Sequence, residues 1–309
     1  MYDYKAIFFV DTIYLVRLRE ISTSYPKAMK DWQSISEQLQ DMRARGHRIY
    51  YHFHPHWIQA AYLPDINMWD ASNHGRFTFD RLTDEEKEYV VAASESVLKE
   101  ILGKTHVANG YRAGGLYLQP FRGIKPYLDR LDVTYDFSVL REFESKADHY
   151  GFRYDHPPLK PMYTFEADEQ LEDASGGFVE VPLDALHAGI GWKLLNSLWY
   201  RTVQKMMDNQ RFGDGTSSGN VIRPISSSGR YTLRETYSIE LMNHVKSVLY
   251  LKRARESKLL HFISHPKLIS EQNIKAFHSF AAMLRKRCDV VTDLEYIRSV
   301  LMPRRNAKA

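Results

Sequence analysis

Short apolar runs alternate with longer amphipathic stretches along almost the whole chain, and that alternation confines the fold to the α/β class. The first run, Ala6-Ile7-Phe8-Phe9-Val10, is apolar throughout and ends at Asp11. Residues 26–45 follow with Trp32, Ile35, Leu39 and Met42 spaced for one buried helical face, closed by Gly46. A second strand, Arg48 to His54, stops at Pro55, which cannot donate to a ladder. Thr83-Asp84-Glu85-Glu86 opens a helix to about Leu102 with the pattern of a capping box. Further strands are expected near His106–Tyr111, Val133–Phe137, Phe178–Pro182, Leu259–Ser264 and Asp289–Thr292. Helices are expected near 120–130, 192–210, 239–256 and 271–287. Strand-then-helix repetition of this kind predicts a distorted or incomplete (β/α) barrel, open on one side. No linker divides the chain, so one domain over 1–309 is expected, with inserted loops near 57–82, 141–177 and 213–229.

Composition narrows the function classes. Of 309 residues, 44% are hydrophobic and 26% charged, which suits a globular chain with a substantial core. The net charge is only +4 and the cations are dispersed, so nucleic acid is not an expected partner. Two clusters, Lys252-Arg253-Ala254-Arg255 and Arg285-Lys286-Arg287, read as solvated helix ends, or as sites of attraction to a phosphate-bearing, lipid- or nucleotide-linked partner. A single cysteine, Cys288, excludes an internal disulfide framework and a multi-thiolate metal site. No apolar stretch reaches the roughly 20 residues needed to cross a bilayer. No leader pattern opens the sequence, so the cytoplasm is the expected compartment.

The unusual residues gather where strands end, which is where parallel (β/α) folds place their chemistry. His52, His54 and His56 fall within five residues. Neutral imidazoles are common ligands of zinc and similar ions. Alternation puts His52 and His54 on one face while the strand lasts, whereas Pro55 lets His56 swing back toward His52. Spacing leaves both pairs open. Asp11 reads as a third ligand, a general base or simply a helix cap. Arg112, before Ala113-Gly114-Gly115, is a fixed cation that either orients an oxygen or sits in a surface ion pair. His265, between Ser264 and Pro266, is placed to protonate a leaving group, or is a satisfied core histidine.

Taken together these segments resemble the polysaccharide deacetylases that carry the NodB homology domain. Gly46-His47-Arg48-Ile49-Tyr50-Tyr51-His52-Phe53-His54-Pro55-His56 is similar to the family's G-H-E-I-x-x-H-[ST]-x-x-H segment. Tyr111-Arg112-Ala113-Gly114-Gly115 resembles its arginine motif, and Ile263-Ser264-His265-Pro266 its late histidine motif. Asp136 stands where the family has a supporting aspartate. The similarity spans about residues 5–297 and is nearest to the deacetylase-like proteins of bacterial surface-polysaccharide clusters. It implies a metal, most simply zinc, on Asp11, His52 and His56, with Asp11, Arg112, Asp136 and His265 as catalytic groups. The family's T-F-D-D motif is reduced here to Phe9-Val10-Asp11-Thr12, with one aspartate instead of two.

The resemblance implies hydrolysis of an N-acetyl or other N-acyl group on an amino sugar in O-antigen or capsule synthesis. A bound metal would polarise the carbonyl and activate water, with Asp11, or else Asp136 or Glu180, as the base. Tyr50, Tyr51, Trp57, Tyr62 and Trp69 are expected to line a sugar groove. Two other readings compete: a barrel metallohydrolase using His52 and His54, and a non-catalytic carbohydrate-binding relative with a degenerate site.

Overall fold

Ile7–Asp11 forms the first strand (β1), and the chain turns from it into a helix with no residue between. That helix (α1, Thr12–Ser22) is followed by α2 (Pro26–Ala44), β2 (Arg48–Phe53), and a small hairpin of β3 (Ala61–Leu63) and β4 (Met68–Asp70). Next come α3 (Asp84–Leu102), β5 (Gly110–Ala113), α4 (Lys125–Arg130) and β6 (Tyr135–Asp136). Then follow β7 (Phe143–Ala147), β8 (Tyr150–Arg153), β9 (Tyr163–Phe165), β10 (Phe178–Glu180) and β11 (Ala185–Ala188). The chain continues through α5 (Ile190–Thr202), β12 (Ile222–Pro224), β13 (Leu233–Thr236), α6 (His244–Glu256), α7 (Glu271–Leu284) and α8 (Leu294–Leu301). The structure, a computed structural model, describes residues 4–73, 75–147, 150–202, 210–213, 222–225, 233–284 and 290–302. Cys288, Arg285-Lys286-Arg287 and most of the 213–229 stretch lie outside the described residues.

The chain divides into two compact units. The first comprises Tyr4–Val139, Met162–Val181 and Val291–Ala309; the second comprises Met1–Asp3, Leu140–Pro161 and Pro182–Val290. In the first unit six strands form a sheet of order β1-β2-β5-β6-β10-β9. The five strands from β1 to β10 run parallel, and only β9 is antiparallel. The sheet is open, with β1 at one edge and β9 at the other. Its curvature is strong: the rings of Phe9 on β1 and Phe137 just beyond β6, three strands away, lie 4.9 Å apart. The face carrying them is therefore concave. The opposite face carries Tyr51, Phe53 and Tyr111, all buried.

Local chemistry explains where the helices begin and end. Thr83 accepts from the Glu86 N–H while Glu86 accepts from the Thr83 N–H, completing the expected capping box. Gly46 takes φ +85° just after α2, a conformation that costs glycine nothing. Helix α1 was not expected, because its apolar residues run on from β1 without a Gly or Pro break. Within 141–177, read as a loop, lie β7, β8 and β9.

The second unit holds a three-stranded sheet of order β12-β7-β8, the pair β11–β13, and helices α5, α6 and α7. Leu186, Tyr237, Tyr250 and Phe280 are central to its core. Residues 259–264, expected as a strand, form no ladder, although the Ile263 N–H donates to the Tyr237 carbonyl at 2.9 Å. Residues 290–292 are likewise irregular. Among the described residues no helix is long and apolar enough to cross a membrane.

Candidate active site

The C-terminal ends of β1, β2 and β5 are in register, with Asp11 beside His52 and His52 beside Arg112. Lateral partners in parallel strands project to the same face, so these three side chains stand in one row on the concave side. Asp11 does two jobs there. One carboxylate oxygen caps α1, accepting from the Tyr14 N–H at 3.3 Å. The other accepts from His54 Nδ1 at 2.9 Å and Trp57 Nε1 at 2.6 Å. Burial works to raise the Asp11 pKa, but His54, His52 and the Tyr14 N–H together hold it below the usual carboxylate value.

His52 turns Nδ1 to the Arg112 carbonyl at 2.7 Å, which leaves Nε2 as its bare nitrogen. Burial pushes its pKa down to about 3, so the ring is neutral at physiological pH. The rings of His52 and His54 meet edge to face with centroids 4.4 Å apart. His56 is next along, 5.5 Å from His54, but lies flat against Phe77 at 5.5 Å and an 11° interplanar angle. The structure thus brings His54 to Asp11 and places His56 in an aromatic stack.

Arg112 is buried, its guanidinium 4.2 Å above the Phe9 ring and its Nε donating to the Phe137 carbonyl at 3.1 Å. Burial lowers its pKa to about 10, with Asp136 and Glu180 working the other way, so it remains cationic at neutral pH. Asp136 does not join the row. Its register partners are Tyr111 and Glu180, so by strand alternation it occupies the opposite face from Arg112 and His52. There it is fully buried, accepting from the Ser138 N–H at 3.2 Å and the Ser138 hydroxyl at 2.8 Å. His265 belongs to the second unit, where its largely exposed ring pairs through Nδ1 with Glu240 at 3.1 Å.

Thr12, standing where the related motif has a second aspartate, is fully buried and donates to Ser94 of α3 at 2.8 Å. It faces the helix layer because the chain has already turned into α1. Tyr50 and Tyr51, expected in a sugar groove, are core residues instead. The half-exposed aromatics near Asp11 are Trp57, Trp69, Tyr14 and Tyr62, joined by contacts between 4.9 and 6.2 Å.

Gly114 completes the site by lacking a side chain. A Cβ there would stand 2.3 Å from the Phe53 carbonyl oxygen, 2.6 Å from His54 Cδ2 and 3.2 Å from His54 Nε2. The first contact is to backbone and cannot be relieved by a rotamer. Gly114→Ala is therefore expected to destabilise the protein by about 1–3 kcal/mol, as overpacking and forced backbone shifts do. A denaturant titration measures this; a midpoint equal to the parent's would show that the site has room to spare.

Asp11, His52 and His56 are the metal ligands that the resemblance implies; here both Asp11 oxygens accept hydrogen bonds, His56 is stacked on Phe77, and His54 is the imidazole bonded to the carboxylate. Among the described residues no group of three or more His, Cys, Asp or Glu side chains converges for an ion. What the geometry holds is an acid–base pair, Asp11–His54, with a neutral imidazole and a buried cation beside it. Spacing leaves His54 and His56 open and only the resemblance favours His56, and nothing in the sequence marks Trp57 as a donor to Asp11.

This is an open, mostly parallel α/β sheet with a carboxylate–imidazole pair at the C-terminal ends of its strands. Neither a protein-family model nor a curated protein sequence matches the chain. A solved structure described as a "putative polysaccharide deacetylase from Mycobacterium smegmatis" is similar at 14% identity and a TM-score of 0.44, covering 96% of this chain and 89% of that one.

Proposed function

We propose that this chain is a hydrolase that removes an acyl group from the nitrogen of an amino sugar. The observation that carries the reading is the Asp11–His54 pair in line with His52 and Arg112 at the strand ends. Asp11 accepts from Nδ1 and so presents the Nε2 lone pair of His54, which the missing side chain of Gly114 leaves uncovered. His54 Nε2 takes a proton from water as the water oxygen adds to the acyl carbonyl. It then returns that proton to the amine nitrogen as the C–N bond breaks, giving a carboxylic acid and a free amine. Arg112 supplies positive potential where the oxyanion forms. Half-exposed Trp57, Trp69 and Tyr62 offer ring surface to a pyranose. The order of the sequence motifs supports the same reaction class, with amino sugars of surface polysaccharides as the substrates to try.

The test is release of carboxylate from N-acylated amino sugars before and after dialysis against a chelator. Activity is expected to survive chelation, because no step uses a bound cation. Activity lost on chelation and restored by zinc would return Asp11, His52 and His56 to the role of ligands. One observation favours a second reading, a carbohydrate-binding relative without turnover: Thr12 is turned into the helix layer, leaving a single carboxylate in the site. Saturable sugar binding with no product would decide for it.

A further inference from the structure

Helix α5 (Ile190–Thr202) contains no buried residue, although α6 and α7 in the same unit each bury one face. It is held along a single line. Trp192 packs on the core built around Leu186, Tyr237, Tyr250 and Phe280. Asn196 accepts from the Asn243 side-chain amide at 2.9 Å, and the Trp199 ring lies 6.3 Å from that of His244. Positions 192, 196 and 199 share one helical face. The apolar residues Ile190, Leu194, Leu195 and Leu198 point elsewhere and are 53%, 63%, 48% and 60% exposed. Single exposed apolar side chains are ordinary, but four on adjoining positions of one helix form a patch that calls for an occupant.

Charge identifies the occupant. From Ala185 to Met207 the sequence has no Asp or Glu, while Lys193 and Arg201 of α5 contribute two positive charges and Lys205 lies outside the described residues. A second copy of this chain is a poor match. In a two-fold contact centred on the helix it would meet itself, opposing cation to cation with no carboxylate to answer them. An anionic bilayer surface answers both features, taking the apolar arc into its acyl boundary and the cations at its headgroups. We propose that α5 is an interfacial helix that docks the second unit on anionic lipid. This stands apart from the chemistry proposed above and would hold for any substrate.

The experiment is co-sedimentation of the full chain with vesicles. Phosphatidylcholine alone is compared with equal parts phosphatidylcholine and phosphatidylglycerol, at low and high salt. The parent protein is expected to pellet with the mixed vesicles and roughly tenfold less with phosphatidylcholine alone, salt weakening the former. The double variant Leu194→Glu, Leu198→Glu should lose vesicle binding by roughly tenfold or more, with an unchanged thermal midpoint because both side chains face solvent. If that variant melts early, Arg201→Glu decides. It keeps the apolar face and is expected to weaken binding to mixed vesicles only. Parent protein that stays in the supernatant overturns the proposal. So does a sedimentation dimer that Leu194→Glu converts to monomer, which would assign the face to a second copy. Neither outcome bears on the deacylation assay.

Discussion

Replacing Asp11 by asparagine is expected to cut turnover roughly a thousandfold or more, the scale seen when an imidazole base is left in the wrong tautomer. The amide cannot serve all three donors that the carboxylate serves. With its oxygen toward His54 and Trp57, its NH2 group confronts the Tyr14 N–H at the start of α1. Flipped, it presents NH2 to His54 and forces the ring to carry its proton on Nε2, where the lone pair is needed. Asp11→Ala should in addition destabilise the fold by about 2–4 kcal/mol, from the lost helix cap and two donors left without their acceptor. Steady-state rates and denaturant midpoints on both variants separate the effects. An asparagine variant that keeps full rate would remove the pair from the chemistry and favour the binding reading.

The second large effect concerns pH and the pair Asp136–Glu180. Both carboxyls are wholly buried side by side on adjacent parallel strands, and Glu180 also accepts from the Val139 N–H at 3.1 Å. Burial raises both: Asp136 to about 7, against the lowering effect of its hydrogen bonds with Ser138 and Glu180, and Glu180 well above its ordinary value, with the Asp136 charge adding to the rise. A raised folded-state pKa means that the folded protein binds protons the unfolded chain releases. The stabilising contribution is therefore complete below about pH 4, where the unfolded carboxyls titrate, and declines as pH rises through about 7. Glu180→Gln removes one charge and retains the shape. It should leave stability nearly unchanged at acid pH and raise it by a few kcal/mol above pH 7, since each tenfold change in proton affinity corresponds to about 1.4 kcal/mol. Thermal midpoints of parent and variant across this range are the measurement. Parallel curves would mean that Glu180 is not the carboxyl whose burial costs stability at high pH.

Much of the fold was legible, and the misses have physical causes. β1 and β2 showed as apolar runs with Asp11 and Pro55 at their ends, and the capping box and Gly46 fixed the limits of α3 and α2 by backbone chemistry alone. α1 was hidden because Asp11 both ends the strand and caps the helix, leaving no punctuation between them. Which histidine meets the carboxylate of the neighbouring strand is a tertiary fact that spacing along β2 does not contain. The face occupied by Asp136 depended on the register of β5 against β6, so its presence at a strand end was readable and its direction was not. The division into two compact units follows from which segments pack together, and no linker in the sequence marks it.

The order in which the chain is made adds a constraint of its own. The unit that bears Asp11 and His54 is assembled from three separated stretches, the last beginning at Val291. Its closing helix, α8, buries Leu294 and presents Glu295 as acceptor to the hydroxyl of Tyr135, on β6. Until synthesis passes that point, the ring of Tyr135 has no such partner, and the parallel strands wait while more than a hundred residues of the other unit emerge. A nascent sheet of this kind is open to wrong partners for the whole interval. Moving α8 to the N-terminus by circular permutation would let the site unit finish early, and the yield of folded protein from the ribosome should rise with it.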